Sequence, residues 1–333
     1  GVVNADGLLR LTPASGATGR DLGTASFLAV AGSVVIAQDI DGRLYRISGG
    51  DPAVPVGRLT QPLKWSVTRD GITIAGSANQ AHLLSAHGIA HTWTLPSSPS
   101  AFSLDSEGKT ALFLLAGHIA IVSLDGTGSR YLPVPRLPSG EILADLAMDS
   151  GVLFARTNVG GIVRLDPATG ELLGSWDGAD GTRALFDIRP GPQTGVVVHS
   201  DDGVIRVLDQ SLRVVASRYV GAPGAILASS PSSGLAFTTT QAGDVVVIDA
   251  ESVEPRFVSS QSGISNVQFG ADGWSLVSAT VYRRTDADGV LLDMDALRGA
   301  VTKTGKYPAL PSDQDERRAS VLIEPLCQAC VPK

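Results

Sequence analysis

Short runs in which apolar and polar residues alternate follow one another along the whole chain, separated by polar turns that usually contain glycine. A repeat of two is the period of a β-strand, and no segment sustains the 3.6-residue period of an amphipathic helix. The pattern is strongest as a hairpin: an apolar strand, a Gly-containing turn and a second apolar strand. The segment after the turn reads GLLRLTPA from Gly7, GRLYRISG from Gly42, QAHLLSAH from Gln80 and GHIAIVSLD from Gly117. It recurs as GIVRLDPA from Gly161, GVIRVLDQ from Gly203, GDVVVIDA from Gly243 and GVLLDMDA from Gly289, a step of about 40 residues. The longest apolar stretch, 111–124, is broken by Gly117-His118 and is too short for a bilayer span, so it reads as strand, turn and strand.

A second marker keeps phase with the first. Upstream of seven hairpins another strand ends in its own turn, at Ala31-Gly32, Asp70-Gly71, Glu107-Gly108, Ser150-Gly151, Thr194-Gly195, Ser233-Gly234 and Asp272-Gly273. A further short strand follows each hairpin. Four antiparallel strands per repeat of about 40 residues predict an all-β fold, a single β-propeller of four-stranded blades spanning 1–333. One blade cannot cover both of its apolar faces, whereas radial stacking covers them. The hairpin count favours eight blades over seven. In the eight-blade arrangement the inner strand of the first blade comes from 319–325, after a polar linker at 306–318, so that N- and C-terminal strands close the ring. In the seven-blade arrangement Leu8–Leu11 is the outer strand of the last blade and the tail, 326–333, is an appendage.

The third strand of the repeat often ends in an apolar residue followed by Asp: Leu124-Asp125, Leu165-Asp166, Leu208-Asp209, Ile248-Asp249 and Met294-Asp295. These pairs stand where WD-repeat propellers carry Trp-Asp, and the chain resembles a divergent member of that superfamily. It departs in having no Trp in the slot and in missing the family's Gly-His pair; its one Trp-Asp, Trp176-Asp177, falls on the following strand. The segment from Leu165 to Trp176 also resembles a quinoprotein-type repeat. The resemblance implies a fold, and propellers of one fold host unrelated activities.

Composition sharpens the picture. The chain holds 5 Lys and 7 Glu against 21 Arg and 26 Asp, so residues that suit helices are scarce and the turn-former Asp is abundant. A net charge of −7 argues against a nucleic-acid phosphate footprint, and no membrane span is expected. No nucleophile elbow, phosphate loop or metalloprotease motif appears, so no metal or cofactor is assigned. Asp39-Ile-Asp41-Gly42 and Asp286-Ala-Asp288-Gly289 look like calcium-loop fragments. Each lacks the Glu at position twelve, and Asp-Gly is itself a hairpin turn signal. His82, His87 and His91 cluster around a turn and, with His118 and His199, read as exposed loop residues.

The candidate contact residues are those expected in the hairpin loops on one face of the disc: Asp39, Asp41, Asn79, Asp201, Asp202, Gln241, Arg283, Arg284 and Asp286. The loop around Arg283-Arg284 is expected to be long and concentrates positive charge on an acidic protein. Cys327 and Cys330 form the sole cysteine pair, read as a disulfide staple. Together with a start at Gly1 rather than Met, that pair leads us to expect a secreted or periplasmic protein, with a cytoplasmic one as the alternative. The function expected is a non-enzymatic platform for a protein or peptide partner. The alternatives are a lyase or hydrolase with its site at the channel mouth, and the sensor domain of a larger polypeptide. Side chains converging on the channel would discriminate between platform and enzyme.

Overall fold

The computed structural model describes residues 2–292 apart from short stretches, chiefly 4–7, 12–19, 48–52, 179–183, 189–192, 231–233, 261–263 and 286–290; residues 293–333 lie outside the described residues. The elements described are strands and turns, with no α-helix among them. They form seven antiparallel sheets, six of four strands and a first one of six, and in every sheet neighbours in space are neighbours in sequence. In sheets two to seven the first strands are Trp65–Arg69, Ala101–Leu104, Leu143–Asp149, Ala184–Ile188, Pro223–Ser230 and Ile264–Gly270. Sheet one contributes the second half of Arg20–Ala31. These strands pack side by side in order from sheet to sheet, and Ile264–Gly270 also lies against Trp65–Arg69 and Arg20–Ala31. They are therefore the inner strands of a radial array.

The alternation read in the sequence becomes a division of labour between two neighbours. In Thr110–Leu115, the second strand of sheet three, Leu112 and Leu114 join a core with Leu146 and Leu153 of sheet four. Ala111, Phe113 and Leu115 join another with Ile74 and Trp65 of sheet two. In sheet four Phe154 turns to Phe186 and Val198 of sheet five, while Leu153 and Ala155 turn back to sheet three. In sheet five Val197 packs with Val246 and Ile248 of sheet six. Both faces are thus dry, and each large side chain so buried contributes about 1.5–3 kcal/mol. Between sheets two and three Trp65 stacks on Phe102 with ring centroids 4.4 Å apart. The indole lies directly over Gly76, where a Cβ would come within 2.0 Å of the ring, so only glycine fits there.

The stretch 111–124 is the strand, turn and strand expected, as Thr110–Leu115 and His118–Ser123. The Asp of the apolar–Asp pairs caps the turn between third and outer strands. Asp125 Oδ1 accepts from Thr127 N (2.8 Å), Asp166 Oδ1 from Ala168 N (2.7 Å), and Asp209 Oδ1 from Ser211 N (2.8 Å). Met294-Asp295 lies outside the described residues. Two expectations are corrected. Leu8–Leu11 is not the outer strand of the last sheet: it pairs with Val2–Val3 and with residues 20–24, and Leu291–Leu292 takes that outer position. The histidines are not all exposed loop residues, since His82 and His199 are buried within strands at 2% and 0% exposure.

His199 is held between two sheets. Its Nε2 meets the carbonyl of Gly221 at 2.7 Å, and a carbonyl only accepts, so Nε2 carries the proton. Nδ1 then accepts from Thr238 Oγ1 at 2.7 Å. Burial lowers the pKa of His199, and of His82, against smaller opposing effects on His199 from Gly221, Asp202 and Asp201. A lowered histidine pKa means that the unfolded chain binds the proton more readily. Stability is therefore full above the unfolded value of about 6.5 and declines as pH falls below it. The histidine contribution to the melting temperature is expected to shrink between pH 7.5 and pH 5, so the difference between wild type and His199→Gln should change with pH over that range.

Candidate functional site

Two places gather polar side chains: the space between the inner strands, and the face carrying the turns between second and third strands, called here the middle turns.

Charged residues are rare on the inner strands, yet three of them converge. Arg69, 5% exposed at the end of the inner strand of sheet two, reaches Asp187 on that of sheet five (Nη2 to Oδ1, 2.5 Å). Its Nη1 donates to the carbonyl of Leu104 on the inner strand of sheet three at 2.7 Å. Asp187 Oδ2 accepts from both the backbone N–H and the hydroxyl of Ser229 on that of sheet six, each at 2.8 Å. One ion pair thus ties four inner strands and satisfies backbone groups on their inward edges. Asp145, on the inner strand of sheet four, completes the group. Burial pushes its carboxyl up to about 6, Arg156 draws it down and Asp187 adds to the rise. Among the described residues its Oδ1 accepts only from its own neighbour, Leu146 N, at 2.9 Å. The sequence pointed to none of these residues. The available signal was a charge inside an apolar inner strand, as in Trp-Ser-Val-Thr-Arg69 and Ala-Leu-Phe-Asp187-Ile.

The expected contact residues divide by what already holds them. Asp39 is 6% exposed and closes its own turn, accepting from Arg43 N at 2.8 Å and Tyr45 Oη at 3.2 Å. These are the bonds of the turn read in Asp39-Ile-Asp41-Gly42. Asp202 is clamped by both terminal nitrogens of Arg206, which hold its carboxyl below the usual range. Asp41, Asn79, Asp201 and Gln241 lie on the middle turns of sheets one, two, five and six. Their side chains have no hydrogen-bond partner among the described residues, while their backbones anchor the turns: Asn79 O accepts from Leu95 N (2.8 Å), and Gln241 N donates to Ala222 O (2.9 Å). Arg283 and Arg284 are not in a loop. They lie in the strand Tyr282–Thr285, paired with Leu276 and Ser275. Asp286, Cys327 and Cys330 lie outside the described residues.

The same face shows apolar residues that the sequence did not single out. Ile142 is 63% exposed and Val159 41%, at the middle turn of sheet four. Asn158 fixes that arrangement, donating its N–H to Ile142 O (2.9 Å) and accepting from Ile142 N (3.1 Å). Tyr219 stands 71% exposed beside the middle turn of sheet five. Among the described residues no helix is long and apolar enough to cross a membrane, and no three His, Cys, Asp or Glu side chains are grouped to hold a metal.

Consecutive four-stranded antiparallel sheets arranged about a common set of inner strands, each apolar on both faces, make the fold a WD-repeat-like β-propeller. Among solved structures the chain is similar to the Pan2 WD40 domain of Neurospora crassa, at 16% identity and a TM-score of 0.50, covering 77% of this chain and 86% of that one. No protein-family model matches the sequence, and no characterised protein matches it at the sequence level.

Proposed function

We propose that the protein is a non-enzymatic platform that binds a protein or peptide partner on its middle-turn face. The observation that carries this reading is the contrast between the two sets of turns. On the third-to-outer turns, Asp125, Asp166 and Asp209 are consumed by their own backbone. On the middle turns Asp41, Asn79, Asp201 and Gln241 keep their side chains unengaged, beside the outward-held Ile142 and Val159. Polar groups and rigid apolar anchors on one surface are the composition of an interface. The WD40 likeness supports the reading, because that fold commonly serves interaction.

The test is a random dodecapeptide library panned on the purified protein. Enrichment is expected, and it should be lost in the triple variant Asp41→Arg, Asp201→Arg, Gln241→Arg. It should be kept in Ala168→Arg, which adds charge to the opposite turns. No enrichment, or enrichment indifferent to the triple variant, overturns the reading.

The ring is proposed to have eight blades. Val2–Val3, Leu8–Leu11 and residues 20–24 make three antiparallel strands in want of an inner fourth, and 319–325 has the sequence to supply it. Deleting 319–333 is then expected to lower the melting temperature and promote aggregation through the exposed blade edge. An unchanged melting temperature eliminates the eighth blade.

A further inference from the structure

We propose that Tyr219 and Asp201 form a recognition site for an arginine side chain presented by the partner; the proposal rests on the platform reading and names the chemistry of one of its contacts. Tyr219 is the most exposed of the large apolar side chains described, at 71%. The end of its strand is not loose. Val220 N and Gly221 N both donate to Gly203 O, at 2.8 and 3.2 Å, so the exit of the outer strand is clasped to the middle turn that carries Asp201 and Asp202. Beneath the clasp, buried His199 donates to Gly221 O and ties the same segment to sheet six through Thr238.

The tyrosine ring lies across Gly203, whose φ is +78°. A Cβ there would come within 2.6 Å of the ring atom Cε2, so the absence of a side chain lets the aromatic settle against the turn. The structure therefore holds an aromatic ring in solvent, against the turn that carries two aspartates. The two differ. Asp202 is neutralised by Arg206 on the strand that follows the turn, whereas the Asp201 carboxylate has no hydrogen-bond or ion-pair partner among the described residues. It does act on its surroundings, since both aspartates raise the pKa of the nearby His199.

An exposed aromatic face beside an uncompensated carboxylate complements a cation that can stack and accept charge pairing at once. Guanidinium does both, being planar, weakly hydrated and always charged. Charge complementarity runs the same way over the whole molecule, whose net charge is −7. The neighbouring sheet four carries a further exposed acid, Asp177, and the exposed apolar Ile142 and Val159.

The probe is N-acetyl-L-arginine N-methylamide, titrated into isotopically labelled protein and followed by NMR, with the neutral citrulline analogue as control. Saturable shifts are expected for the Tyr219 ring and the amides of Asp201 to Gly203 with arginine and not with citrulline. Tyr219→Ser and Asp201→Asn should each weaken binding about two- to fivefold. Equal shifts with citrulline, or affinities unchanged in both variants, overturn the proposal. Saturable shifts confined to the middle turns of other sheets also overturn it while leaving the platform reading intact. The peptide library, which contains sequences without arginine, decides that broader reading separately.

Discussion

Replacing Arg69 with methionine is expected to cost about 3–5 kcal/mol of folding stability, the range for breaking one side of a buried ion pair. Arg69 and Asp187 have side chains only 6% and 12% exposed, so neither can recover water when the other is lost. Methionine fills most of the arginine stem's volume, so the loss reports charge and hydrogen bonding rather than an empty space. Without the guanidinium the Leu104 carbonyl loses its donor. Asp187 keeps the Ser229 donors but loses the guanidinium, while the Asp145 carboxyl still acts on the same space. The double variant Arg69→Met, Asp187→Leu should be more stable than Arg69→Met alone, because the buried Asp187 charge that lost its guanidinium is then removed as well. It should stay below the wild type, because Ser229 N and Leu104 O have no replacement partner. Denaturant titration of the three proteins checks the order. A single variant as stable as the wild type would show that the pair does not hold the inner strands.

Asp145→Asn is expected to act in the opposite direction, and only above a certain pH. The folded carboxyl is held at about 6, against about 3.9 in an unfolded chain. Between these values the folded state binds the proton more tightly. Stability from this group is therefore present in full below about pH 4 and is lost as pH rises through 6. Above that point the protein carries a buried, poorly paired carboxylate. Asparagine keeps the acceptor for Leu146 N and removes the charge. The variant should gain about 1–3 kcal/mol at pH 7.5 and nothing at pH 4. A gain of equal size at both pH values would assign the effect to packing instead. The histidine contribution runs the other way with pH, so the comparison is between variant and wild type at each pH, not along one curve.

The sheets were readable because each is made of strands consecutive in sequence, and a period of two survives in any one of them. Thr110–Leu115 shows how local that information is: its alternation, its turn at Gly117 and its partner strand all lie within a few residues. The Asp that ends the third strand in sheets three, four and five is legible for the same reason, since the amide it accepts from is two residues on. The inner cluster was hidden because its members stand far apart in the chain. Arg69 and Asp187 are separated by 118 residues, and nothing in either strand names the other. Arg283-Arg284 misled in a different way. Paired arginines between apolar segments look like a loop, but the backbone pairs there as a strand. Tyr219 gave no signal because exposure is a property of the outer strand's place in the sheet, not of its composition. His199 was misjudged because its two partners, Thr238 and Gly221, come from the next sheet and its entry link.

The assignment of alternate residues to opposite neighbours has a consequence for how this protein can change over time. In the second strand of sheet three, Phe113 answers to sheet two and Leu112 to sheet four. A substitution at one of them is felt by one adjoining sheet and screened from the other by the strand's own backbone. Compensation for a smaller residue at Phe113 should therefore arise at Trp65, Phe102 or Ile74, and compensation at Leu112 should arise at Leu146 or Leu153. Each interface can drift as a separate ledger of paired changes. An insertion of one residue inside the strand exchanges the two sets and disturbs both interfaces at once. Whole repeats can thus diverge until little identity is left between them, while the length of each strand is held fixed.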